Sequence, residues 1–438
     1  MSHELTWQEI QKFQDQFNQN PQNQVIARAA SRSGIYEASF NDRVAGRLTR
    51  VFSTELPTDQ VTNQKQSGRC WEFASLNVLR HYFGKKYQAK NFTFSQTYNY
   101  FWDKIERANI FYDAMIRLAD RPIDDREVAS YLNFAGTDGG QWAMAIALVK
   151  KYGLVPSYAM PESFNAENSQ ALGEVLQLKE KKDALVLRHL AQTGQTAELA
   201  QAREQFLSEV YHIVATALGE PPHKFDLEFR DDQGKYHLEK DLTPQTFFQK
   251  YLGDFNADDY VTLANYPDHE YGKLYHVPLE DNIVGMKPIL FLNVPMDFLT
   301  QAAVNQLKAG DSVMFGNDVL RQMDRKTGYL DPELYQMDQL LNVDLNLSKK
   351  DRLILGEGRA THAMTLVGVD EDHGQVRQWK VENSWGKDRG EKGYFVMSQD
   401  WFEKYVYHVV VKKEYLTADQ VALAEGSWVD VSPWDSMN

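Results

Sequence analysis

Cysteine is almost absent: the chain of 438 residues holds one, Cys70. No disulfide can form within the chain, which fits a reducing compartment, and no zinc site of paired cysteines can be built. The eleven histidines are scattered and lack the His-Glu-x-x-His spacing of a zinc hydrolase. No apolar run approaches the roughly 20 residues that span a bilayer, so no membrane partner is expected. The N-terminal MSHELTWQEIQKFQDQFNQ has neither the basic nor the apolar segment of a secretory signal, and a cytoplasmic location is expected. Positive charge is in deficit: 47 Lys and Arg against 61 Asp and Glu leave −14. Such a surface repels phosphates, which makes nucleic acid a poor partner. Gly139-Gly140 is too little for a phosphate loop, and Asp124-Asp125, Asp231-Asp232 and Asp258-Asp259 read as solvated turns. No metal or other cofactor is expected.

What is present is enough apolar surface for a packed core, 43% apolar and 12% aromatic residues, in a chain long enough for two or three domains. There is no internal repeat. An N-terminal arm, 1–60, opens with helical spacing at Leu5, Ile10, Phe13 and Phe17, stops at Asn20-Pro21, and is mixed and extended from 25 onward. A mostly helical stretch, 61–165, has helices predicted over Cys70–Tyr82, 95–119 and Ala143–Lys151. Residues 166–225 are charged, poor in glycine, and read as an inserted helical subdomain with an apolar stripe at Leu199, Phe206, Val210, Ile213 and Ala217. A β-rich part, 226–415, has strands predicted at Lys287–Val294, Ser312–Gly316, Ala363–Val369, Gln378–Asn383, Gly393–Val396 and Val406–Val411. A short helix and an irregular tail, 416–438, close the chain. The class is α+β, a helical half plus a twisted sheet or barrel.

Three segments carry chemistry. In Gln64-Lys-Gln-Ser-Gly-Arg-Cys70-Trp71 a loop runs into a helix, and a thiol at a helix N-terminus is expected to have its pKa lowered by the dipole. Free amides at the helix start, with the side-chain amide of Gln64, can face an oxyanion. His362 opens an apolar strand, and Asn383 follows it at a spacing suited to a neighbouring strand, where its carbonyl would fix the imidazole tautomer. Trp385 could cover that bond. Singly, a cysteine before an aromatic residue or a histidine on an apolar strand is more often structural. In this order, with Gln64 ahead and Asn383-Ser-Trp385-Gly behind, they match a cysteine nucleophile paired with a histidine base.

At these residues the chain resembles papain-like cysteine peptidases, and within them the aminopeptidase C and bleomycin hydrolase family. Further similar stretches are Asp138-Gly-Gly-Gln-Trp142, Gly153-Leu-Val-Pro, Met160-Pro-Glu-Ser163, Gly316-Asn-Asp-Val319 and Thr361-His-Ala-Met364. The resemblance implies a papain-like fold, a β-barrel-like half beside the helical one, and hydrolysis of short peptides. It implies catalytic roles for Cys70, His362, Asn383 and Gln64. Gly139 and Gly140 would bind the substrate main chain, being without a Cβ, and Ala363 would line the pocket for the side chain two residues before the cut. About 290 positions separate Cys70 from His362, roughly twice the papain spacing. The insertion 166–225 supplies part of the difference, and in the family it is a hook that assembles a homohexamer. There the C-terminal tail lies in the cleft and its carboxylate binds the substrate's amino group. Here the tail, Trp434-Asp-Ser-Met-Asn438, is about three residues shorter and has Ser436 in place of proline. Asn438 would still reach the cleft, but oligoendopeptidase action, as in a lactic-acid-bacterial variant, stands beside aminopeptidase action. An acyltransferase on the same three residues, or a non-enzymatic assembly protein on this fold, remain as alternatives.

Overall fold

The computed structural model describes residues 2–58 and 60–438. The first helix, α1 (Trp7–Gln19), starts at a capping box in which Thr6 and Glu9 each satisfy the other's backbone amide. Asn20-Pro21 ends it and at once starts α2 (Pro21–Ser33). Asn20 caps the Gln22 amide, and proline in the first helical turn lacks no needed donor. The extended character expected from residue 25 is corrected here, because the proline read as a stop is also a start. Neither helix buries a residue. Trp7 is 87% and Phe13 52% exposed, so much of the arm's apolar stripe stands open to solvent.

The helical half is built on α3 (Cys70–Tyr87), α4 (Gln96–Arg117) and α5 (Trp142–Tyr152). Helix α3 is buried without a break from Trp71 to Arg80, the fate of a helix with no polar face. Ser95 caps α4 by accepting from the Tyr98 amide at 3.1 Å. Gly153, at φ +82°, ends α5 where a Cβ would meet the Pro244 backbone at 2.3 Å. Phe83 is stacked on Phe92 and edge-on to Phe94 and Phe229. Phe229 belongs to a hairpin, Phe225–Arg230 with Tyr236–Leu242, which is not among the predicted strands although its first strand alternates apolar and charged residues. The insertion holds two 23-residue helices, α6 (Gln170–Gln192) and α7 (Thr196–Leu218). Leu172, Leu176, Leu187, Val210 and Val214 bury their inner faces in the same core as α4, while Leu178 and Leu185 stay exposed.

The second half is a mixed sheet of β1 (Tyr260–Ala264), β2 (Lys273–His276), β3 (Leu290–Asn293), β4 (Val313–Asn317), β5 (His362–Asp372), β6 (Gln375–Glu382), β7 (Tyr394–Ser398), β8 (Val406–Lys412) and β9 (Trp428–Asp430), in the order β9-β2-β3-β1-β8-β4-β5-β6-β7. Strand β5 is buried from His362 to Asp370. It reads as a continuous apolar run because α3 covers one face and the helix Met296–Lys308 packs on the other. All six predicted strands are present in this sheet.

The tail is more ordered than expected. Strand β9 pairs in parallel with β2, and His276 bonds Asp430 at 2.8 Å. His269 lies 3.2 Å from Asp268 and 3.1 Å from Asp435 of the tail. Ser436 donates to Asp268 at 2.6 Å, and Met437 is buried. Asp268 and then Asp435 raise the His269 pKa to about 9 against the opposing effect of burial. A histidine raised above its ordinary value of roughly 6.5 holds its contribution below that value and loses it on the way up. The tail anchor should therefore be intact at pH 6 and released as pH rises through about 9. Hydrogen exchange of residues 428–438 measures this, and His269→Ala should show the released pattern already at pH 7.

Candidate active site

The loop before Cys70 is held from both halves of the molecule. The Gln64 amide donates to the Ser384 carbonyl at 2.8 Å, and the Gly139 amide to the Gly68 carbonyl at 3.1 Å. The Gly68 amide donates to Asp138 Oδ2 at 3.0 Å, and a Cβ on Gly68 would lie 2.4 Å from the Asp138 Cβ. Arg69 is buried, with its guanidinium forked onto Glu162 at 3.1 and 2.5 Å. The loop thus delivers Cys70 to the first position of α3.

Across the cleft, His362 opens β5 and Asn383 follows β6 directly. His362 Nε2 and Asn383 Oδ1 are 2.9 Å apart. An amide oxygen only accepts, so Nε2 carries the hydrogen and the neutral ring keeps its free lone pair on Nδ1. The Trp385 ring lies 4.9 Å from the His362 ring, tilted by 36°, and screens that bond. Ser384 donates from Oγ to Gln64 Oε1 at 2.6 Å, and Gln64 Nε2 donates to the Ser67 carbonyl at 2.7 Å. One Nε2 hydrogen of Gln64 is thereby fixed and the other remains for a ligand. Ser384 was not foreseen: a hydroxyl residue between Asn383 and Trp385 carries no signal in sequence.

The thiol differs from expectation. The amides of Ala363, Trp71 and Cys70 itself face the sulfur and favour the thiolate, as a helix start should, but burial outweighs them and pushes the Cys70 thiol up to about 11. Burial likewise pushes His362 down to about 4, although Asn383 opposes it. Burial thus opposes charge on both groups, and the direction at Cys70 is upward rather than the lowering expected from the helix start.

Helix α4 supplies a ladder of side chains that sequence reasoning also missed. Asp138 accepts from Lys104 and Tyr100 at 2.7 and 2.8 Å, besides Gly68 and Ser169. Burial would raise its carboxyl, but the Lys104 charge and these donors hold it well below the usual range. One turn on, Asp103 grips Arg107, which donates to the Gly139 carbonyl. Gly139 has φ +91° and open space where a Cβ would stand. At Gly140 a Cβ would strike the Trp71 ring at 2.8 Å. Close packing on Trp71, rather than substrate approach alone, thus explains the second glycine. Ala363 is buried beside His362. Asn438 is tied back on its own tail, its side chain to the Ser432 carbonyl at 2.9 Å and its amide to the Asp435 carbonyl at 3.1 Å. No hydrogen bond among the described residues joins it to Cys70, His362 or Gln64.

The chain as a whole is similar to known peptidases. The sequence model of the Peptidase C1-like family matches residues 4–438. Aminopeptidase G of Lactobacillus delbrueckii subsp. lactis is 66% identical over 437 residues, with 100% of both chains covered. Aminopeptidase E of Lactobacillus helveticus is 64% identical over 437 residues with the same coverage. The crystal structure of PepW from Lactobacillus rhamnosis HN001 superposes with a TM-score of 0.97 at 44% identity, over 100% of this chain and 99% of that one.

Asp138→Ala should leave buried Lys104 with only the Thr137 carbonyl and the Asp103 carboxylate, 3.9 Å away, as partners among the described residues and lower stability by about 3 kcal/mol. Urea unfolding of the variant beside the wild type measures it, and an unchanged midpoint would remove Asp138 from its place as the anchor of the loop.

Proposed function

This chain belongs to the Peptidase C1-like family, and from that premise we propose that it hydrolyses short peptides with Cys70 as nucleophile, His362 as general base and Asn383 as the residue that orients it. It is a cysteine peptidase on a papain-like fold. The observation that carries the finer reading is the 2.9 Å contact from His362 Nε2 to Asn383 Oδ1, which leaves Nδ1 as the free base in a ring adjoining Ala363, whose amide faces the sulfur.

In the proposed cycle Cys70 Sγ attacks the scissile carbonyl carbon as its proton passes to His362 Nδ1. The carbonyl π electrons move to oxygen, where the Cys70 amide and the uncommitted Gln64 hydrogen receive the charge. Collapse of the adduct breaks the C–N bond, and the amine leaves with the proton held by His362. The thioester is then cleaved by water, activated by the same imidazole. Gly139 and Gly140 line the acyl half of the substrate and Ala363 the pocket two residues before the cut. Trp385 keeps water from the His362–Asn383 bond. An acyltransferase or a non-enzymatic assembly role has no observation in its favour.

The relatives' names favour removal of residues from the amino end, with the Asn438 carboxylate as the receiver of the ammonium group. A second reading, oligoendopeptidase action, is favoured by Asn438, whose amide and side chain both turn back on the tail. The open apolar stripe of α1 and the exposed Leu178 and Leu185 of α6 support self-assembly, proposed as a homohexamer and tested by sedimentation. A cytoplasmic location goes with the single cysteine.

Two matched peptides test the cleavage mode, one with a free amino end and one N-acetylated. Stepwise loss from the free peptide alone is the aminopeptidase outcome. Internal cuts in the acetylated peptide, seen by mass spectrometry, are the oligoendopeptidase outcome, and absence of any cut would sink the peptidase role of Cys70. Gln64→Ala should lower kcat by about 10²–10³, measured on the same peptides, and a loss under tenfold would remove Gln64 from the oxyanion site.

A further inference from the structure

Beyond Trp385 the cleft opens into a pocket of about 860 Å³ whose lining includes none of residues 138–142. With the acyl half of a peptide along Gly139-Gly140, the leaving half must depart past His362, which protonates it. Trp385 is the wall beside His362 on that path and also lines this pocket, which places the pocket on the side where a leaving fragment would pass.

Its charge is unlike that of the molecule. Lys65, Arg325 and Arg389 line it against two carboxylates, Glu167 and Asp388, in a chain of net charge −14. None of the three cations forms an ion pair among the described residues. The Arg325 guanidinium lies over the Trp385 ring, 4.8 Å from its centroid, and its charge reaches His362, adding to burial in favouring the neutral imidazole. A cation that is placed on the wall of the cleft, close to the reacting groups and without an anion of its own, is suited to take one from the substrate.

We propose that this pocket binds a carboxylate on the leaving fragment, with Arg325 as its main partner and Lys65 and Arg389 supplying the surrounding field. The proposal rests on the Cys70–His362 reading of the site. It names a substrate class: peptides cut one or two residues before a free C-terminus, or before an Asp or Glu side chain. Both sources present the same carboxylate to the same guanidinium.

Two pairs of peptides with one common acyl half separate the sources. The first pair ends, just after the cut, in a free carboxylate or an amide. The second is amidated throughout and carries Glu or Gln at that place. The wild type should favour the acid of at least one pair in kcat/KM by about tenfold, the equivalent of about 1.4 kcal/mol, chiefly through KM. The preference should shrink as salt is raised from 0.01 M, where the screening length is about 30 Å, to 1 M, where it is about 3 Å. Arg325→Gln should reduce it to near parity and Arg325→Lys should keep part of it. Equal turnover within both pairs, or a preference that survives Arg325→Gln, overturns the carboxylate pocket. Failure to cut any of the four peptides is a different result, and overturns the peptidase reading beneath it.

Discussion

Asp138 is the point where three otherwise separate pieces of chain are tied together. Its carboxylate takes hydrogen bonds from the Gly68 amide of the cysteine loop, from Tyr100 and Lys104 of α4, and from Ser169 at the start of the inserted hairpin. A carboxylate in so dry a place is tolerable only because a buried ammonium and three further donors surround it. Remove it, and the loop that presents Cys70 loses its fixed distance from Gly139 and Gly140. Arg107 extends the same logic one turn along, with Asp103 behind it and the Gly139 carbonyl in front. The glycine loop is thus positioned by a helix that lies behind it.

Dryness also governs the reactive pair. The helix start and three amides pull Cys70 toward the thiolate, while exclusion of water pulls the thiol up and the imidazole down. In the proposed cycle, charge develops when a carbonyl arrives to accept electrons, with the Gln64 and Cys70 donors placed to receive it, which is the condition for stabilising a transition state rather than a ground state.

Cys70, His362 and Asn383 could be singled out in the sequence because each stands at a recognisable junction: a loop entering a helix, the start of one apolar strand and the end of another. The central strands were legible for the same reason, as short unbroken apolar runs. Lys104 and Arg107 were not, since an ionic residue on a helix with aromatic neighbours reads as a solvated face, and Asp138 stood out only as the head of a family-like stretch, because only the folded chain puts α4 beneath the loop. The hairpin around Phe229 was missed although Phe225, Leu227 and Phe229 alternate strictly with charged residues, which is the signal of a half-buried strand. The start of α2 was missed because Pro21 can either stop a helix or open one, and the helix-forming residues after it make it an opening.

Three hydrogen bonds cross between the cysteine loop and the segment after β6: Gln64 amide to Ser384 carbonyl, Ser384 hydroxyl to Gln64 side chain, and Gly386 amide to Thr62 carbonyl. Gln64 is therefore a hinge pin of the cleft and, in the proposed cycle, also the donor to the reacting oxygen. A guest too thick for the groove would have to pull these strands apart to be seated, and in doing so would swing the donor off its target. Cleft width and chemical competence are coupled through one side chain, so a folded polypeptide that forces its way in disables the machinery that would have cut it.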